Sequence, residues 1–416
     1  MSEPKPSYAA FVGIDWADQE HAVCLMEGER HQLHQLPHKP ETIDAWARDL
    51  EHRFGGRPVA VCLEQSRGPL IYALMKYTFF VLFPVNPKQL ARFREALAPS
   101  GAKDDPSDAW LLAELVRHHH PRLRPWHPDD APTRRIRLLA ESRRRFVDDR
   151  TRLGNRLKAL LKEYFPFALT LCGGHVYADS FLRLLARWPS LKALQRARPQ
   201  TVARVLFAGR KRPDDEAERL AAIRQTVALV KDPALIEARS MATQALVAQL
   251  RTLNRAIAAH DAQLEAAMSK HPQAAVFRSL PAAGEAMAPR LLAALGSQPD
   301  RYDSAAAVQQ HSGIAPVTQK SGKTCSVRRR RACPKFLRQT FHEYAQHSLK
   351  NSAWARAYYR LQRERGKKHH PAIRALAFKW IRIIFRCWHD KTPYDESRYL
   401  ESLRRRNVPL LAYLDP

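Results

Sequence analysis

The chain has 416 residues, of which 69 are basic and 41 acidic, giving a formal charge of +28. Hydrophobic residues make up 45%, which excludes a chain disordered along its whole length. Positive charge spread through a large folded chain draws in polyanions, so nucleic acid is the expected partner, with phosphate contacts supplying most of the affinity; a ribosomal-type or membrane-surface basic protein is the alternative.

Residues 8 to 96 alternate between strand and helix patterns. YAAFVGIDWA is an apolar run read as a strand, and HAVCLMEG follows closely enough to be its hairpin partner. PETIDAWARDLEHRF has helical spacing and an acidic start. RPVAVCLE and FFVLFPVN read as third and fourth strands, separated by the helix GPLIYALMKY, and PKQLARFREAL opens another helix with proline in its first turn. Such alternation predicts an α/β domain with a partly parallel sheet over residues 1–125. The N-terminus has no apolar signal region, and FFVLFPV is too short to span a bilayer, so a cytoplasmic location is expected.

From Pro132 the pattern becomes helical. Leu139, Phe146, Leu153 and Leu160 alternate with Ile136, Arg143, Arg150, Leu157 and Tyr164 at coiled-coil spacing, with arginine at two seam positions. Residues 134–162 hold eleven basic and three acidic residues, which makes Arg143, Arg144, Arg145 and Arg150 candidate nucleic-acid contacts. A second seam runs through Leu246, Leu250, Leu253, Ile257, His260, Leu264 and Met268. The two helices are free to pair within one chain or between chains. A helical coiled-coil insert is expected over 126–272, followed by a mainly α-helical C-terminal domain over 273–416. Six cysteines without a C-x-x-C pair fit a reducing compartment and argue against disulfides and structural zinc. His118 to His120, His369 and His370 lack paired metal spacing and read as parts of a basic face.

Four carboxylates stand out by position. Asp15 ends the first strand and Glu64 the third, while Asp105 and Asp108 share one face of a helix start in KDDPSDAW. Strand ends of an α/β sheet collect active groups. Converging carboxylates repel unless divalent cations bind between them, and Mg2+ prefers oxygen ligands and leaves room for phosphate oxygens. Singly, each has a structural reading: Asp105 as a helix cap, Asp108 as a first-turn dipole partner, Asp15 as a turn residue. Asp104 and Asp18 are rivals on chemistry.

KSGKTCSVRRRR, residues 320–331, joins a hydroxyl to strong positive charge. A phosphate-binding loop needs G-x-x-x-x-G-K-[ST], and Val317 stands where the first glycine belongs, so nucleotide hydrolysis is not expected. A serine hydroxyl beside Lys320, Lys323 and Arg328, Arg329, Arg330 and Arg331 could attack a phosphodiester, its cations neutralising the developing charge. The same cations serve equally as DNA grips. Ser312, Ser321 and Ser326 are all candidates on chemistry.

The order Asp15, Glu64, then Asp105 and Asp108 in Lys103-Asp104-Asp105-Pro106-Ser107-Asp108-Ala109 resembles a RuvC-type (RNase H-like) fold. More closely, it resembles the DEDD transposases of the insertion-sequence IS110 family, described as bridge-RNA-guided recombinases. The family's K-T-D-x-x-D-A signature has Asp104 here in place of threonine. Gly313-Ile314-Ala315-Pro316, Ser321-Gly322 and Arg328 to Arg331 match its C-terminal G-(L/I)-x-P, Ser-Gly and basic segments. CSVRRRRACPKF departs from the family's glycine-rich continuation, and LPAAGEA keeps only Gly284 of its usual hairpin. The resemblance implies Mg2+ held by Asp15, Glu64, Asp105 and Asp108, and Ser321 as nucleophile through a phosphoserine link. It also implies donor and target DNA, a structured noncoding guide RNA, a homo-oligomer (dimer or tetramer) and a nucleoid-associated bacterial location. A RuvC-like junction resolvase or other metal nuclease without a covalent intermediate, and a non-catalytic RNA-binding protein, are the alternatives.

Overall fold

In the computed structural model, residues 7–64, 68–97, 104–208, 216–322 and 324–414 are described; Lys103 and Lys323 lie outside them. The chain divides into two compact units, residues 1–128 and 129–416.

The first unit is built from β1 (Ala10–Asp15), β2 (Glu20–Glu27), β3 (Arg30–Pro37), α1 (Pro40–Phe54), β4 (Val59–Leu63), α2 (Pro69–Leu74), β5 (Phe80–Pro84), α3 (Pro87–Leu97) and α4 (Asp105–His119). Its five-stranded sheet has the order β3-β2-β1-β4-β5. β1 pairs antiparallel with β2 and parallel with β4, β3 is antiparallel to β2, and β5 is parallel to β4. β3 has no counterpart among the expected strands. It is an edge strand, exposed over most of its length, and its sequence RHQLHQLP lacks the apolar run that marks the buried strands.

Side-chain alternation divides the core between two faces. Val12, Ile14, Val23 and Leu25 pack with Ile43, Ala47 and Leu50 of α1. On the opposite face Ala22, Cys24 and Met26 pack with Ala109 and Ala113 of α4, and Ala60 and Cys62 with Leu112 and Val116. Gly13 explains how closely α4 lies on the sheet: a Cβ there would come within 2.0 Å of the Ala109 carbonyl oxygen and 2.4 Å of the Ala113 nitrogen. The helix runs antiparallel to β1. His120, just past its C-terminus, meets the rings of Tyr8 and Phe11, while Ala109, near its N-terminus, lies over Gly13.

The second unit contains α5 (Ala131–Tyr164), α6 (Phe167–Leu171), α7 (Asp179–Arg187), α8 (Leu191–Gln195), α9 (Pro199–Leu206), α10 (Glu216–Gln225), α11 (Pro233–Met268), α12 (Ala274–Arg278), α13 (Gly284–Leu295) and α14 (Ala305–His311). A hairpin of β6 (Val317–Ser321) and β7 (Thr324–Arg328) follows, then α15 (Lys335–Ser348), α16 (Ala353–Glu364), α17 (His369–His389) and α18 (Glu396–Arg405).

The long helices α5 and α11 pair antiparallel within the chain. They join two cores: Ile136, Ala140, Leu264 and Met268 belong to the C-terminal core, and Leu157, Leu161, Leu246 and Leu250 to a separate core with α6 to α10. The middle of the pair mixes buried Ile257 with polar contacts. Arg143 bonds Asp261, Arg150 donates to Asn254 Oδ1 at 3.2 Å, and Phe146 meets the His260 ring edge-on. The two arginines expected at seam positions find polar partners across the pair. In the C-terminal core Trp354, Trp380 and Trp388 are buried with satisfied indole N–H groups, bonded to Tyr394 Oη, Ser348 Oγ and the Gly296 carbonyl.

Candidate active site

Asp15 is the last residue of β1 and Glu64 directly follows β4. The two strands are adjacent and parallel, with Ile14 opposite Leu63, so the next step of the ladder sets Asp15 beside Glu64. Alternation sends both toward α4, since Asp15 follows Gly13 and Glu64 follows Cys62 on that face. Antiparallel packing of α4 brings its first turn to the same end of the sheet.

That first turn carries the other two carboxylates. Asp104 is the N-cap, its Oδ1 accepting the Ser107 N–H at 2.7 Å, which assigns the extra acidic residue of the signature to capping. The cap bond favours the ionised carboxylate and holds the Asp104 pKa below its ordinary value. Asp105 is exposed in the first turn, whereas the Asp108 side chain is 2% exposed. The Arg94 guanidinium from α3 grips Asp108 Oδ1, with its Nε at 2.8 Å and a second contact from Nη2. A buried carboxylate without a cation is costly. Arg94→Ala is therefore expected to destabilise the protein by about 3 kcal/mol, and Asp108→Asn in the same chain to recover much of that loss; denaturant melts of the single and double variants check this.

The donor set fits a hard divalent cation. It offers carboxylate oxygens, and the thiols on the same face are unsuitable: burial, with a smaller contribution from Glu114, pushes Cys24 up to about 12, and burial raises Cys62 further. Among the described residues no three acidic, histidine or cysteine side chains are gathered as a metal would hold them. The backbone brings the four positions to one end of the sheet, and Arg94 balances the charge of the most buried member.

The opposite face beneath Asp15 holds His21, which is fully buried. Its Nδ1 accepts the Ala17 N–H at 3.3 Å, its Nε2 lies 2.9 Å from His38 Nδ1, and the Trp16 ring stacks on it. Burial, reinforced by His38, lowers its pKa to about 4, so the ring is neutral near pH 7.

Ser321 ends β6 in the second unit, exposed at the tip of the hairpin and opposite Thr324. Gly322 follows at φ +53°, a left-handed conformation that glycine adopts without strain. These strands have no apolar alternation because the hairpin stands in solvent, which is why the sequence pattern did not mark them. Pairing places Gln319, Thr324, Ser326 and Arg328 on the Ser321 face, and Lys320, next in sequence, on the other. The base is anchored where Cys333 packs against Gly313, where any side chain would collide with its Sγ at 2.3 Å. Of the rivals, Ser312 is buried and bonded to the Gln309 carbonyl, and Ser326 is half-buried on β7.

Arg328, Arg329 and Arg331 are exposed and Arg330 half-buried. In the helix pair, Arg143 is held by Asp261, Arg144 by Asp148 and Glu343, and Arg150 by Asn254 and by the Tyr177 ring at 4.9 Å, while Arg145 is exposed. Sequence reasoning missed Arg94, His21 and His38. Gly13 carried a readable signal, since glycine inside a buried strand marks close backbone approach.

No described helix is long and apolar enough to cross a membrane. Residues 12–166 match the profile of the IS110 DEDD transposases, described as a transposase, and residues 274–360 that of the transposase IS116/IS110/IS902 family. The mini-circle putative transposase for IS117 of Streptomyces coelicolor is 30% identical, over 94% of this chain and 97% of its own length. The insertion element IS110 uncharacterized 43.6 kDa protein of the same organism is 27% identical over 93% of this chain and 96% of its own. The insertion element IS900 uncharacterized 42 kDa protein of Mycobacterium paratuberculosis is 27% identical over 70% of this chain and 73% of its own.

Proposed function

Because this chain belongs to the IS110 family of transposases, we propose that it exchanges DNA strands by joining the carboxylates of its first unit and Ser321 of its second at one phosphodiester. The observation that carries the reading is the shared end of the sheet: Asp15 beside Glu64, with the first turn of α4 above them. Asp15, Glu64, Asp108 and Asp105 would hold Mg2+. When bound, the ion supplies charge neutralisation at the scissile phosphate and favours the ionised form of an attacking oxygen.

The Ser321 Oγ attacks phosphorus and loses its proton to solvent or base. The bond to the 3′-oxygen breaks, and that oxygen leaves with a proton as a free 3′-hydroxyl. A 3′-hydroxyl of the exchanged strand then attacks the phosphoserine, restoring a phosphodiester and free Ser321. One phosphate ester replaces another at each step, so no nucleotide is consumed. Arg328 shares the Ser321 face at the other end of the hairpin ladder, and it and the arginines that follow would supply positive charge to DNA phosphates.

Serine and carboxylates lie in different compact units, which suits a homo-oligomer in which one copy lends Ser321 to another. The charge of +28 suits DNA and a structured guide RNA whose base pairing selects donor and target, and a location on the bacterial nucleoid.

The test is a radiolabelled DNA substrate, stopped in detergent and run on a denaturing gel. The expected result is a protein–DNA adduct that disappears in Ser321→Ala, with the thermal midpoint unchanged because the residue is exposed. Cleaved, unattached ends produced by Ser321→Ala would show a hydrolytic metal nuclease and overturn the covalent route.

A further inference from the structure

Among the described residues of 7–128, two polar side chains are buried, Asp108 and His21. Asp108 lies on the α4 face and His21 on the α1 face, both at the end of the sheet where β1 delivers Asp15. A strand position facing an apolar core is met most simply by valine or isoleucine. A fully buried imidazole there must have its ring atoms satisfied, and the pattern of bonds shows what it holds.

The backbone N–H of Ala17 can only donate, so His21 Nδ1 must carry a lone pair. The neutral ring then carries its proton on Nε2 and donates it to His38 Nδ1 at 2.9 Å. His38 also donates its backbone N–H to the Gln19 carbonyl at 2.7 Å. The turn from Trp16 to Gln19 is therefore tied at Ala17 by the His21 ring and at Gln19 by the His38 backbone. Trp16 covers the ring, with centroids 6.3 Å apart and planes at 26°. These ties act on the backbone two and four residues beyond Asp15, from the face opposite its side chain.

We infer that His21, backed by His38, is a positioning residue that fixes the β1–β2 turn so that Asp15 is presented to the divalent cation. This rests on Asp15 being a metal ligand, as proposed above. Neither histidine touches the metal or DNA in this role. Their contribution is to remove the freedom of a turn that would otherwise swing the carboxylate.

The test is calorimetric titration of the full chain with Mn2+ alone, without DNA, alongside thermal melts. His21→Phe keeps the ring volume and removes both polar ties, and is expected to weaken Mn2+ binding by about tenfold. His38→Ala, at a half-buried position that preserves the core, is expected to weaken it by about threefold. His21→Asn keeps an oxygen able to accept from Ala17 and is expected to recover most of the affinity. A purely structural role would lower the melting point and leave the affinity of the folded protein unmoved. Asp15→Asn is the reference. If it weakens binding while folded His21→Phe matches wild type, the positioning role is wrong and the metal site stands. If Asp15→Asn also matches wild type, the metal site fails and the inference falls with it. Should His21→Phe not fold, His38→Ala decides: wild-type affinity there overturns the proposal.

Discussion

Asp15→Ala is expected to reduce DNA strand cleavage by roughly a thousandfold, equivalent to about 4 kcal/mol of transition-state stabilisation. Thermal stability should hold within about 2 °C, because the residue sits at a strand end rather than in the core. The physical reason is asymmetric. Asp15 is half-buried at the end of β1 and outside the apolar core, so its loss costs the fold less than it costs the proposed metal site. The same change removes one of the proposed metal ligands, which Asp104, committed to its cap, does not replace. Single-turnover cleavage in saturating Mg2+, paired with a thermal melt, checks both halves. A variant that cuts at a tenth of the wild-type rate or better would remove Asp15 from the metal site.

Gly13→Ala is expected to do the reverse, damaging stability first and activity as a consequence. The added Cβ would meet the Ala109 carbonyl oxygen at 2.0 Å, the Ala113 nitrogen at 2.4 Å and Leu112 Cβ at 2.9 Å. Two of these are backbone atoms of a helix packed across β1, so relief requires α4 to move as a body. The expected cost exceeds about 3 kcal/mol, lowering the thermal midpoint by roughly 10 °C. Because α4 carries Asp105 and Asp108, any surviving folded protein should also cleave poorly. Comparison with Val12→Ala, which removes bulk from the opposite face, separates the two effects: it should lower stability by cavity formation and leave the specific activity of the folded fraction close to wild type.

The parts of the molecule legible in the sequence are those where burial imposes a pattern. β1, β4 and β5 are apolar runs because both faces are covered, and α1 shows helical spacing because one face packs on the sheet. Asp15 and Glu64 could be singled out because a carboxylate ending such a run breaks it abruptly. β3 and the β6–β7 hairpin were not legible, since exposed strands place no apolar demand on alternate residues. Arg94 could not be found because its pairing with Asp108 depends on how α3 and α4 pack, not on any spacing along the chain. His21 was hidden for another reason. It occupies a position in β2 that reads as one more inward-facing residue, and its two polar ties come from turns that only the folded sheet brings together. The arginine-rich stretch of α5 was legible as charge, but the fold takes Arg143, Arg144 and Arg150 into internal bonds.

The antiparallel pair of α5 and α11 has a further consequence. The chain leaves the C-terminal core near Ala140, builds a second core at the far end, and returns at Leu264, with the outgoing and returning helices in fixed register through Arg143 to Asp261 and Arg150 to Asn254. The distance between the cores is thus set by an equal number of turns on two strands of one strut. Whole turns inserted or removed opposite each other would change the reach of the outer core while its root stayed seated, so this arm is a part whose span can diverge between relatives without redesign of either end.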